Sequence, residues 1–188
     1  MGSRGILHFT QPTTDTNMRA YFFGNMYLSS IQQGIQAAHA THELFTTWTV
    51  PGVAYTNLHH WATEHKTMVL LNGGYAAAIQ DLVDFFAEQG TDDVDYPWAD
   101  VHEEEASLNG ALTTVGIILP EKIYAMAAAI RRDSKQKMIR SILHKNNGLI
   151  TVDADNSLGI TVDEPTILYY TPWELQLIDK LNKFSLAT

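Results

Sequence analysis

The sequence predicts an α/β domain, a small mixed β-sheet sandwiched by helices, with a C-terminal α+β extension. Three observations predict it. Residues 19–120 alternate strand and helix twice and finish with one or two further strands, the pattern of a layered α/β unit. The run YFFGNMYLSSIQQGIQAAHATHELF, residues 21–45, leads an apolar strand straight into an amphipathic helix. At 188 residues and 45% hydrophobic content, the chain is long enough to bury one sizeable core.

Taken in order, residues 1–17 are polar and Thr-rich around Pro12, so a flexible N-terminal segment is expected, with folding from Met18. The pattern then predicts a strand over 19–27, a helix over 29–46, and a Trp- and His-bearing loop. A strand over 67–71 and a helix over 74–89 follow, the helix with Ile79, Leu82, Val83 and Phe86 on one face. The acidic stretch 91–106 reads as a connection, with only a weak strand signal near 93–98; a strong strand over 111–118 ends at Pro120. Beyond it, Ile123, Met126, Ala127 and Ile130 carry helical spacing, and a helical run over 134–145 stops at Asn146-Asn147-Gly148. Short strands GLITV, LGITV and TILYY lead to a last helix, where Thr171 caps and Pro172 takes the first position. Three units are thus expected: the segment 1–17, an α/β domain over 18–120, and an extension over 121–188. The apolar residues of that extension need the same core, or a partner subunit, to cover them.

Composition narrows the function. A net charge of -9 repels long polyanions, so a whole tRNA or duplex is disfavoured as a partner while a small ligand is not. With no cysteine, thiolate metal sites and disulfides are excluded. No apolar run reaches membrane-spanning length, and the N-terminus has no basic stretch followed by a long apolar one. The expectation is a soluble, cytoplasmic protein that does not engage a membrane.

On the 29–46 helix, Gln32, Gln36, His39 and Glu43 fall in one line beside an apolar stripe of Leu28, Ile31, Ile35, Ala38 and Phe45. This phase puts the stripe inward, with His42 continuing it as a buried histidine. The polar line then faces a site at the strand-to-helix mouth, together with Asn25. Asn72-Gly73-Gly74 precedes the next helix, and its amides are placed to face an anion. The acidic stretch supplies Glu103 and Glu104, a carboxylate acceptor or general base. Trp48, Trp61, Tyr75 and Trp98 are candidates for stacking on a base. Residues 59–65, HHWATEH, match no zinc-protease spacing and read as a surface loop with Trp61 pinned to the core. Residues 153–164 imitate a calcium loop but place Leu158 where glycine is needed, so a hairpin turn is expected. The His-x-Thr triplets at His8, His39 and His65 fail the two-strand geometry of two-histidine phosphodiesterases. No dinucleotide or phosphate-loop fingerprint occurs, and neither a metal nor a cofactor is expected.

Residues 21–40 resemble the opening of the type II peptidyl-tRNA hydrolase family, where a first strand leads into a helix with a Gln-x-x-His-Ala signature. Here that signature is Gln36-Ala37-Ala38-His39-Ala40. The family's later pattern, an acidic residue after the third strand and a Thr-Val-rich fourth strand ending in Gly and Pro, is matched by VHEEEASLNGALTTVGIILP, residues 101–120. The resemblance implies that family's fold and a site at the helix start and acidic loop. It covers roughly 100 residues, and 121–188 have no counterpart. A helix-start lysine linked to the family's catalysis falls on Gln32, which cannot stabilise an oxyanion as an ammonium does. That replacement and the acidic charge point away from peptidyl-tRNA.

The reading is a module that binds a small nucleotide-like ligand through Asn25, Gln32, Gln36, His39, Asn72, Gly73, Gly74 and Glu103. One use would be sequestering a nucleotide signal, as viral anti-defence proteins do. The main alternative is a hydrolase of an ester or phosphodiester, with His39 as base and Glu104 orienting it. A third is a non-catalytic interaction protein, and in each case a homo-oligomer is expected.

Overall fold

The computed structural model describes residues 17–89, 95–104, 106, 109–132, 143, 145–152 and 166–187. Four strands form its frame: β1 (Met18–Gly24), β2 (Thr67–Asn72), β3 (Trp98–His102) and β4 (Leu112–Pro120), in the order β2-β1-β4-β3. β1 pairs parallel with β2, and β4 pairs antiparallel with both β1 and β3. Hence β1, β2 and β3 run one way and β4 runs against them. Parallel neighbours need a crossover. Between β1 and β2 it consists of α1 (Ser30–Thr47), α2 (Val53–His60) and a π turn (Trp61–His65), while α3 (Ala76–Ala87) leads from β2 towards β3. After β4 come α4 (Glu121–Arg132), an antiparallel pair β5 (Leu149–Val152) and β6 (Thr166–Tyr169), and α5 (Pro172–Leu181). The chain is α/β, as the alternation predicts.

Both faces of the sheet are covered, which is why β4 is an almost unbroken apolar run. On one face Met18, Ala20, Phe22 and Ile118 pack with Ala37, Ala40 and Leu44 of α1, Leu58 of α2 and Trp61. On the other, Phe23, Val115, Ile117 and Leu119 share one cluster with α3 and with Ile123, Met126 and Ile130 of α4 and Leu177, Ile178 and Leu181 of α5. The last residues cover the outer edge of β2: Asn72 N donates to Ser185 O at 2.9 Å and Ala187 N to Leu70 O at 3.1 Å. At α5 the Thr171 cap is present and is completed by Glu174, which closes a capping box.

Two elements depart from the sequence reading. β3 lies at Trp98–His102, inside the stretch read as an acidic connection and later than the strand signal near 93–98. Its inward Ala99 and Val101 alternate with Asp100 and His102, so charge on the wet face of an edge strand hides the period-two pattern. The expected Trp- and His-bearing loop is instead α2 and the π turn, with Ala54, Leu58 and Trp61 buried at helical spacing. The predicted N-terminal segment (apart from residue 17), most of the run 134–145 and the turn at 153–164 lie outside the described residues.

Burial raises the phenol pKa of Tyr21, Tyr96, Tyr124 and Tyr170 above the ordinary 10.0, that of Tyr124 to about 12; at Tyr96 the Glu174 carboxylate adds to the effect. The unfolded chain ionises these phenols near pH 10 while the folded chain holds them neutral. Stability is therefore complete below pH 10 and is lost as pH rises through the raised values. In an alkaline titration, tyrosinate absorbance from these four should appear together with loss of the circular dichroism signal. Their ionisation near pH 10 with the fold intact would contradict the packing described.

Candidate functional site

The carboxyl ends of β1, β2 and β3 and the start of β4 meet at one edge of the sheet, the position where open α/β sheets bind ligands. α1 and α3 both begin there. Asn25 leaves β1 buried, and its side chain is committed to the fold: Nδ2 donates to Leu112 O at 3.3 Å, and Oδ1 accepts from Tyr27 N at 3.1 Å. Its backbone N–H donates to Thr113 O at 2.9 Å. Asn25 thus staples the strand exit to β4 and turns the chain into α1.

Gln32 is exposed and works locally. Its Oε1 accepts from the Ser29 backbone N–H and from Ser29 Oγ, each at 2.9 Å, while Gln32 N donates to Ser29 Oγ, which makes a capping box. The helix phase differs from the sequence reading. Gln33, Gln36, Ala37, Ala40 and Leu44 are buried, whereas Ile31 (77% exposed) and Ile35 (49%) face outward, as do Ala38, His39, His42 and Glu43. The two alanines at the contact give a close seat on the sheet, and hydrogen bonds satisfy Gln36 there. Periodicity weighted by hydrophobicity chooses the isoleucines and so rotates the helix. His42 is therefore not the buried histidine expected. His39→Ala and His42→Ala should each change stability by no more than about 0.5 kcal/mol, the usual effect of an exposed substitution. A sharp fall in Tm for either variant would contradict this phase.

Of the residues expected at the site, Gln36 and Glu103 are brought together. Gln36 Nε2 donates to Glu103 Oε1, and Gln36 Oε1 accepts from Thr113 Oγ1 at 2.9 Å, the same hydroxyl lying 3.1 Å from Val101 O. This holds a half-buried carboxylate at the strand ends. Gln36→Leu strips both neighbours of that amide, a loss of about 1–3 kcal/mol, and a smaller drop in Tm than His39→Ala would contradict it. The adjacent Gln33, missed in the sequence, donates from Nε2 to Leu28 O at 3.1 Å, and its Oε1 has no hydrogen-bond partner among the described residues. Glu104 is exposed. Among the described residues His39 has no hydrogen-bond or ion-pair partner, so it is not joined to Glu104.

The Gly pair has a backbone role. A Cβ at Gly73 would sit 2.9 Å from the Phe23 carbonyl carbon, and Gly74 has φ +78, so the turn excludes side chains at both places. The amides expected to face an anion are engaged internally: Asn72 N on Ser185 O, Gly73 N on Gly24 O at 2.8 Å, Gly74 N on Asn72 Oδ1 at 3.0 Å. What remains at this corner is the start of α3: Ala78 N already donates to Tyr75 O at 2.9 Å, which leaves the amides of Ala76 and Ala77 in the first turn without an intrahelical acceptor, and the N-cap Tyr75 supplies no side-chain bond.

Of the four aromatics singled out, Trp61 is buried and donates to Thr67 O at 2.9 Å, and Trp48 donates to Trp98 O at 2.8 Å, which ties both indoles to the scaffold. Tyr75 alone stands at the mouth, 52% exposed, and pairs with Tyr27, 80% exposed, at 4.9 Å between ring centres. Tyr27 went unnoticed in the sequence; its signal was an aromatic residue two places before a Ser cap. Together with Met26, Ile31 and Ile35 they make an exposed apolar rim. A groove of about 400 Å³ along β3, lined by Glu43, Thr47, Trp48, Ala87, Trp98, Ala99 and Asp100, lies at the far end of α1.

Among the described residues no group of three or more His, Asp or Glu side chains converges, and no helix is long and apolar enough to cross a membrane. No family model matches the chain, and no curated protein matches it.

Proposed function

We propose that the protein binds a small nucleotide-like ligand at the strand-end mouth, without cleaving it. The observation that carries this is the solvent-facing Tyr27–Tyr75 pair, which shares the strand-end edge of the sheet with the Gln36-held carboxylate of Glu103. Water-exposed rings at the carboxyl end of a parallel strand pair offer a stacking surface for a base. Glu103 is placed to accept a ribose hydroxyl or an exocyclic amine, and the uncapped first turn of α3 offers amides to a phosphate. Binding is favoured over turnover because His39, the candidate base, has no orienting partner among the described residues. The resemblance to type II peptidyl-tRNA hydrolases supplies the frame for this reading, and Gln32, used in a helix cap, supplies no ammonium. The proposal extends to a cytoplasmic homo-oligomer, supported by the outward Leu149, Ile167 and Tyr169 of the β5–β6 pair.

A thermal-shift screen of mononucleotides, cyclic dinucleotides and ADP-ribose tests it, with product analysis of every compound and of peptidyl-tRNA. At least one nucleotide should raise Tm. No compound should be cleaved. Tyr27→Ala and Tyr75→Ala should weaken binding by about 1–3 kcal/mol each. A screen without any shift, or binding by both variants as tight as by the unmodified protein, would contradict the site, and turnover would make the protein a hydrolase.

A further inference from the structure

The geometry points to a second site, at the other end of β2 from the mouth, in which His60 and His65 chelate a divalent transition-metal ion such as zinc or nickel. In an α-helix, residues five apart lie about 140° apart around the axis, so this spacing carries no ligand signature in the sequence. The backbone here is a π turn: Lys66 N donates to Trp61 O at 2.8 Å, five residues back, and Lys66 ends the turn with φ 54. The wider turn swings position 65 back towards position 60, and such insertions in helices are frequent at functional sites. Trp61, buried and bonded to Thr67 O, anchors the turn. His59 takes no part, being packed between Phe45 and Tyr55.

Two distances define the arrangement. The Nε2 atoms of His60 and His65 are 3.1 Å apart, and the ring centres are 4.8 Å apart with the planes at 83°. A linear N–H···N hydrogen bond would separate the centres by about 5.4 Å, because each nitrogen lies about 1.15 Å from its ring centre. The shorter separation means that the contact is bent, and in the arrangement with both rings tilted to the same side the two ring axes converge. Taken as symmetric, they meet about 2.1 Å from each nitrogen at an angle of about 95°, which is the zinc–imidazole bond length. Imidazole nitrogen suits zinc, nickel and copper, and water completes a shell with two protein ligands. A bound ion would staple the end of α2 to the start of β2.

Calorimetric titration of the full-length protein with zinc chloride and with nickel sulfate tests this. One ion per chain should bind. His60→Gln and His65→Gln should each weaken the affinity about tenfold or more, whereas His59→Gln should leave it unchanged. Nickel titrated into the unmodified protein should broaden the Trp61 indole resonance before those of Trp48 and Trp98, a readout independent of any variant. Absence of binding would mean that the pair shares a bent hydrogen bond. Binding indifferent to His60 and His65 would place the ion elsewhere, for instance at His102 and Asp100, 3.1 Å apart. Either result would overturn the assignment.

Discussion

Ending the chain at Pro120 should give insoluble or molten protein. The sheet face formed by Val115, Ile117 and Leu119 is covered by the same cluster that contains Ile123, Met126, Ile130, Leu177, Ile178 and Leu181. Full burial of such a side chain contributes about 1.5–3 kcal/mol. The six residues removed thus represent more than a marginal stability of about 5–15 kcal/mol can lose, before the newly bare face is counted. The cut also removes the tail that pairs with β2 and the Phe184 ring set edge-on against Phe23 at 4.9 Å. Dye binding and loss of a cooperative melt are the expected readouts. A soluble 18–120 fragment with a sharp transition would show that 121–188 is an accessory.

The next largest effect is expected at Glu174, buried at the start of α5. Its Oε1 meets Lys122 Nζ at 2.6 Å and accepts from the Tyr96 hydroxyl, while Oε2 accepts from Thr171 N at 2.7 Å. One carboxylate therefore caps α5, ties it to α4 and satisfies a buried phenol. Removing one partner of a buried pair costs about 3–5 kcal/mol. Lys122 is partly exposed and can turn to water, which lowers the expectation for Glu174→Ala to about 2–4 kcal/mol. At about 2–4 °C per kcal/mol for a chain of this size, Tm should fall by about 5–15 °C. Glu174→Gln, whose single acceptor oxygen keeps the cap while its NH2 donates to a turned Tyr96 hydroxyl, should fall less. An unchanged Tm in the alanine variant would mean that the network contributes nothing net.

The strands and helices with unmixed patterns were legible in the sequence: β1, α1, β2, α3, β4 and the capped start of α5. Their apolar periods are uninterrupted, and Ser29, Gly73 and Thr171 punctuate them. β3 was obscured because Asp100 and His102 sit on its wet face, and α2 because three histidines in seven residues read as a loop. The phase of α1 was misread for a different reason. Hydrophobic periodicity assumes that Ile31 and Ile35 are inside and the glutamines outside, but Gln36 is paid for in hydrogen bonds to Glu103 and Thr113. The isoleucines face solvent instead. Gln36 is thus the member of that polar line that turns inward, while Gln32, His39 and Glu43 stay exposed; the approach of His60 to His65 depends on a π turn that no local pattern encodes.

A nucleotide-like ligand at the strand-end mouth would reveal itself in amide shifts mapped in the full-length protein during titration with the nucleotide that raises Tm most. Perturbations are expected at Met26, Tyr27, Gln36, Tyr75, Ala76 and Glu103, with the Trp48 and Trp98 indoles unmoved and the ligand spectrum intact throughout. Perturbations confined to Trp48, Trp98 and Asp100 would place the ligand in the groove along β3 and contradict the claim.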